Sequence, residues 1–260
     1  MTAPVTSTTA AAPRLNAVAK LAATVIIACA LVLSVDWVSA LTALVLEIVL
    51  IAVLRIPLQT LIIRSVPLVF AAALTAVTIL LYGQRTGTVH WHFLLINVSD
   101  GSITLAVATL LRVLAIALPS IALFIDTDPT DLSDALGQIL RLPARFVLGA
   151  LAGLRLVGVL ADDWRTIGYA RRARGVGDHA RIRRATGQAF ALLVSAIRRG
   201  SMLATAMEAR GLGAHRTRTW ARPSSLHGRD VALIATGISI AAISVGASIA
   251  TGHWNFIGRQ

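Results

Sequence analysis

A chain of 260 residues that is 56% hydrophobic and 14% charged, with a mean hydropathy of +0.77, is too apolar for an ordinary soluble domain. Its net charge of +12 is concentrated: Arg141 to Arg222 holds sixteen arginines against Asp162, Asp163, Asp178 and Glu208, so this segment carries the whole excess. The single cysteine, Cys29, lies in an apolar run, which excludes disulfides and cysteine-held metals.

Residues 1–16 are rich in Ala and Thr and read as a disordered tail, with no cleavable signal peptide. Residues 17–125 hold four apolar runs of membrane-spanning length. These are Ala17–Val35, Val38–Leu54 with Glu47 inside it, Val66–Tyr82 with Pro67 in its first turn, and Ile103–Ile125 with Arg112 inside it. A fifth span, Val231–Thr251, falls in residues 229–260. Arg14, Lys20, Arg55, Arg64 and the basic block belong on the cytoplasmic side by the positive-inside rule. That puts the N-terminus inside, with Asp36-Trp37, the segment Gly83–Gly101 and the C-terminal tail outside, against which Arg85 and Arg259 are minor exceptions.

Residues 126–228 are too charged to cross lipid and too apolar to be free in water. Three helices are expected there. Asp131–Leu142 ends before Pro143 and repeats Leu132, Leu136, Ile139 and Leu140 at helical spacing. Ala144–Arg174 has Phe146, Val147, Leu151, Leu154, Val157, Trp164 and Ile167 as its apolar side, and Gly149, Gly153 and Gly158 as places for close packing. Arg181–Arg210 has Phe190, Leu193, Val194, Ile197, Leu203 and Met207. The expected fold is therefore an all-α, polytopic membrane protein with about five transmembrane helices and three cytoplasmic amphipathic helices.

The last two helices end alike. Ala170–His179 and Ala206–His215 both read Ala-x-x-Ala-Arg-Gly-apolar-Gly-x-His. Arginine in the last turn followed by glycine is ordinary helix punctuation, but two such tips, each bearing a cation, also suit the gripping of two similar sites.

Among the remaining residues, Arg112 is costly in lipid and should face the bundle interior or a cavity, with Glu47 as a natural partner if the two share a depth. A structural buried pair and an ion or proton path are both open. His90 and His92 flank Trp91, a weak metal signal without a third ligand. His179 and His215 read as exposed loop residues, and Glu208 is placed to orient Arg210 or to meet a partner. There is no phosphate loop, catalytic triad or metal-ligand cluster in the sequence.

At these motifs the chain resembles the transmembrane (T) component of energy-coupling-factor (ECF) transporters, the micronutrient-uptake branch of ABC transporters. Thr127-Asp128-Pro129-Thr130-Asp131-Leu132 is similar to the family's Thr-x-Pro-x-Asp-Leu junction. Ala173-Arg174-Gly175 and Ala206-Met207-Glu208-Ala209-Arg210-Gly211 are similar to its two coupling-helix tips, and the likeness covers nearly the whole chain. Arg112 before the junction agrees, while Arg171 departs from the Gln often found after the alanine. The resemblance implies a non-enzymatic subunit of the cell membrane with no cofactor of its own. Its partners would be two ABC-type ATPases, which bind the ATP, and a membrane-embedded S component that binds the vitamin or metal ion. By that likeness, Ala173, Arg174 and Gly175 dock on one ATPase and Glu208, Ala209, Arg210 and Gly211 on the other. It also implies contact with the lipid bilayer and none with nucleic acid. Two alternatives stay open: the permease of a conventional ABC importer, which carries a Glu-Ala-Ala loop that Glu208-Ala209 partly matches, and a structural membrane protein whose basic arms bind lipid or nucleic acid.

Overall fold

A computed structural model of the chain describes residues 15–34, 36–54, 56–83, 89–93, 96–175, 181–212 and 219–252. Among these residues the elements run α1 (Ala17–Leu33), α2 (Trp37–Val53), α3 (Leu58–Tyr82), β1 (Val89–Phe93), β2 (Ile96–Ser99), α4 (Asp100–Phe124), α5 (Pro129–Gln138), α6 (Ala144–Ala173), α7 (Arg181–Ala209) and α8 (Gly228–Ala250). The class is all-α, with one antiparallel hairpin, β1–β2, in the segment for which the sequence specified no element. Two compact units divide the chain: the described residues up to Asp128 with those from Ser225 onward, and Pro129–Ser224.

The first unit is a bundle of α1, α2, α3, α4 and α8. Small residues let α1 and α8 approach closely: a Cβ added to Gly237 would lie 3.0 Å from Cα of Ala23. Ile27, Leu31, Ala43, Ala115 and Ile240 form the central cluster, and Ile51, Leu61 and Ala122 a second one. Outward-facing residues are large and apolar, among them Val53, Ile63 and Phe70, as expected where the surrounding solvent is hydrocarbon.

Polar contacts mark the bundle's two ends. At one, the Asn16 backbone N–H donates to Asp230 Oδ1 at 2.7 Å, Lys20 Nζ to Thr127 Oγ1 at 3.0 Å, and Arg64 Nη1 to the Ile125 carbonyl at 3.2 Å. At the other, Asp36 caps α2 and Ser99 caps α4, each accepting from a backbone N–H three residues on.

Among the described residues five helices are long and apolar enough to cross a membrane, α3, α4, α6, α7 and α8, with α1 and α2 as shorter apolar helices of 17 residues. This differs from the five spans read from the sequence, which were α1–α4 and α8. At 1.5 Å per residue α1 and α2 are about 25 Å long, a little short of the hydrocarbon core. Helices α6 and α7 qualify because each keeps a long apolar stretch: 146–161 holds Arg155 as its one charge, and 185–197 holds none. Asp162, Asp163, Arg165, Arg171 and Arg172 all follow Val159, and Arg181, Arg183 and Arg184 fill the first turn of α7.

The largest boundary differences are in α3 and α5. Helix α3 starts at Leu58 rather than Val66, so Pro67 lies inside it instead of in its first turn. Helix α5 stops at Gln138 rather than Leu142, because Arg141 takes a left-handed conformation (φ 53°) and Leu142 precedes Pro143, where helical backbone is disfavoured.

Candidate functional site

In the second unit, α6 and α7 cross through polar contacts made in opposite chain order. Arg171 donates from Nη2 to the Gly187 carbonyl at 2.8 Å and from Nη1 to the Arg184 carbonyl at 3.4 Å. Gln188, almost fully buried, donates its side-chain amide to the Trp164 carbonyl and covers Gly168. Further along α7, Arg199 pairs with Asp163 at 2.9 Å, and the Ser195 hydroxyl donates to the same carboxylate at 3.4 Å. The motif ends therefore lie far apart. Arg174 follows shortly after Arg171, beside Gly187, whereas Arg210 lies 23 residues beyond Gly187, about 35 Å along the helix.

Both tips close the same way. The Arg174 N–H donates to Ala170 O at 3.3 Å and the Arg210 N–H to Ala206 O at 3.1 Å. The next glycine turns left-handed, with φ +70° at Gly175 and +80° at Gly211, and donates to Arg172 O at 2.9 Å and Glu208 O at 2.8 Å. Leu212 N–H then reaches Met207 O at 3.0 Å, completing a Schellman cap on α7. The residue after Gly175, and His179 and His215, lie outside the described residues.

Such a cap turns the chain away and leaves the arginine at the tip. Ala173, Arg174, Gly175, Glu208, Ala209, Arg210 and Gly211 are all exposed. Neither the Arg174 nor the Arg210 guanidinium has a hydrogen-bond or ion-pair partner among the described residues, and Glu208 does not pair with Arg210. The apolar residues on both helices are mostly uncovered as well: Phe146, Leu154, Val157, Phe190, Leu193, Val194 and Ile197 are exposed, while Val147 is buried.

Glu47 and Arg112 do not meet. Glu47 is fully buried with neither carboxylate oxygen hydrogen-bonded among the described residues, and Arg112 likewise has its Nε and Nη2 buried without partners there. Depth explains this. Ala43 clusters with Ala115, and Ile51 with Ala122, so Glu47 lies level with the stretch of α4 beyond Arg112. The acidic group whose charge reaches Arg112 is instead Asp36, at the head of α2.

Sequence reasoning missed the crossing residues. Arg171, where the first motif departs from the family pattern, ties the two helices together, and Gln188 between Gly187 and Ala189 was the visible signal. It also missed the clamp that returns the second arm to α5: Gln138 Nε2 donates to Arg222 O at 2.7 Å, and Ser224 N donates to Gln138 Oε1 at 2.8 Å. Beside it, a Cβ added to Gly137 would come within 2.6 Å of the Trp220 ring. His90 and His92 fall on β1, and among the described residues no three His, Cys, Asp or Glu side chains gather to hold a metal.

Residues 10–219 match the family model of the cobalt transport protein, CbiQ. The chain is 30% identical over 195 residues, 68% of its length and 73% of the relative's, to an energy-coupling factor transporter transmembrane protein EcfT from Limosilactobacillus fermentum. It is 29% identical over 191 residues to another protein of that name from Exiguobacterium sibiricum, covering 69% of this chain and 72% of the relative.

Proposed function

The chain belongs to the CbiQ family of transmembrane transport proteins, and we propose that it is the energy-coupling T component of an ECF importer, passing ATP-driven motion from two cytoplasmic ABC-type ATPases to an S component that binds a vitamin or metal ion. The observation that carries this reading is the pair of exposed arginines, Arg174 and Arg210, with no partner among the described residues, on caps of one geometry at the far ends of two crossed helices. A guanidinium keeps its charge and offers fixed donors to carboxylates and carbonyls, so it suits a contact that must transmit force without letting go. The flanking Ala173, Gly175, Ala209 and Gly211 leave room for a partner's backbone, and Glu208 adds an acceptor. ATP hydrolysis then belongs to the ATPases, and this chain needs no cofactor.

The same reading sets the topology. Lys20, Arg64 and Arg229 gather at one end of the bundle and Asp36 and Asp100 at the other, so the basic end faces the cytoplasm. In this proposal α1–α4 and α8 cross the cell membrane, residues 126–228 form the cytoplasmic coupling region, and the uncovered apolar rows of α6 and α7 meet the S component.

The test is co-purification from native membranes. Wild type should bring down ABC-type ATPases and a small hydrophobic protein, and Arg174→Ala/Arg210→Ala should lose the ATPases at a cost of a few kcal/mol of docking. Unchanged ATPase association and transport in the double variant would sink the proposal.

A further inference from the structure

The chain that leaves the second tip is fixed again at 220–224, on the end of α5. We infer that Gln138 is a positioning residue that yokes the Arg210 tip to α5, so that a displacement of the tip passes to α5 and through it to α4. Such a role presupposes the T-component reading and deepens it.

The Gln138 amide grips two backbone groups at once. Nε2 donates to the Arg222 carbonyl at 2.7 Å, and Oε1 accepts from the Ser224 N–H at 2.8 Å. A carbonyl and an N–H two residues apart lie on one edge of an extended segment, so a single side chain takes the place of a neighbouring strand. The grip has one sense, because turning the amide over would set N–H against N–H and oxygen against oxygen. Beside it the Trp220 ring packs where Gly137 has no side chain: a Cβ there would come within 2.6 Å of ring atom Cη2. Two successive residues of α5, one lacking a Cβ and one with a two-faced amide, thus hold alternate residues of the returning chain, Trp220, Arg222 and Ser224.

Position gives this grip its consequence. Leu212, the last residue held by the α7 cap, lies eight residues before Trp220, a reach of at most about 28 Å for extended chain. Were the chain held only from Ser225, whose carbonyl accepts from Asn16 Nδ2 at 3.3 Å, the reach would be about 45 Å. The longer tether would let the tip shift without moving anything at its other end, whereas the shorter one loads α5. From α5 the way onward is short, since residues 125–128 alone separate it from α4. Arg64 holds the Ile125 carbonyl there and Lys20 the Thr127 hydroxyl, so the connection is pinned from α3 and α1.

Amide hydrogen exchange of the protein purified with its ATPases, with and without a non-hydrolysable ATP analogue, tests the role. In wild type the analogue should alter exchange both around Arg210 and in α5. Gln138→Ala should keep the ATPases and the response around Arg210, and should cut the α5 response roughly fivefold or more. Should that variant fail to fold by size exclusion, Gly137→Ala gives the reading, because the new Cβ drives the Trp220 ring off α5. Ser133→Ala is the control: the Ser133 hydroxyl donates within α5, to the Thr130 carbonyl at 2.8 Å. Its loss should raise the basal exchange of α5 and leave the response to nucleotide in place. An α5 response that persists in the variant read would overturn the role, as would a wild-type α5 that stays silent while the tip responds. An equal loss with Ser133→Ala would reduce the effect to α5 stability, and loss of the ATPases with Gln138→Ala would make it one of docking; either also overturns it. Absence of ATPases from the wild-type preparation, or a silent tip, would instead sink the T-component reading itself and this role with it.

Discussion

The side-chain amide of Gln188 in α7 donates to the backbone carbonyl of Trp164 in α6, and this bond sits at the centre of the crossing between the two arms. Gln188 is 4% exposed, so its loss removes a buried donor and opens a gap over Gly168. Gln188→Ala should destabilise the crossing by about 1–2 kcal/mol. Trypsin should then cleave at Arg183, Arg184, Arg198 and Arg199 roughly five- to thirtyfold faster, since cleavage follows the open population when opening is fast. An unchanged digestion rate would mean that the Arg171 and Asp163–Arg199 contacts hold the arms without it.

Glu47 gives a prediction against intuition. A fully buried carboxyl with neither oxygen bonded brings a desolvation penalty and no compensating contact. Glu47→Leu should therefore leave the thermal midpoint of the detergent-solubilised protein unchanged or raise it, and Glu47→Gln should be tolerated. A clear drop in the midpoint with Leu would reveal a bound water or another donor at the carboxyl.

The bundle was legible in the sequence because apolar length and charge placement are strong, local signals. All five helices of the first unit appear where apolar runs were seen, with Leu58–Ser65 of α3 the main omission. The tips were legible too, since Arg-Gly after a helical run encodes both the cap and its cation. What could not be read was relative depth. The spacing of Glu47 and Arg112 along the chain says nothing of how α2 and α4 slide past each other, and the two side chains end up at different depths without meeting. The hairpin was hidden for a related reason, because a short two-stranded ladder in a segment bounded by spans has no period long enough to stand out. Helix α6 is ambiguous by composition alone: its apolar first half is long enough to qualify as a span, while the charge in its second half is what sets it outside the membrane in the sequence reading.

Gly211 separates tip geometry from tip charge. Its φ of +80° is open to glycine and strained for other residues, and its N–H closes on Glu208 O. Gly211→Ala should cost about 1 kcal/mol at the end of α7, and Gly211→Val more. If Arg210 acts through its placement, Gly211→Val should weaken ATPase co-purification while leaving the thermal midpoint of the bundle untouched. Normal association with Gly211→Val would show that charge alone suffices there.

At the head of α2, Asp36 accepts from the Ser39 backbone N–H and the Ser39 hydroxyl, both at 2.8 Å. Because that hydroxyl gives its proton to Asp36, Ser34 must donate to Ser39 across their 2.9 Å contact. Burial alone would push the Asp36 carboxyl up. The nearby Ser248 hydroxyl, the two Ser39 donors and the Ser34 hydroxyl behind Ser39 together outweigh burial and hold it below the usual 3.8. A depressed pKa means that the ionised form is favoured in the folded state. The resulting stability is fully present above about pH 4 and is lost as pH falls through the lower folded-state value. Asp36→Asn should therefore be less stable than wild type near neutral pH, including about 1 kcal/mol of weakened capping. The gap should narrow as pH is lowered below 4. Thermal midpoints of the two proteins between pH 2 and 7 check this, and a gap that stays constant across that range would mean that Asp36 titrates normally and acts only as a cap.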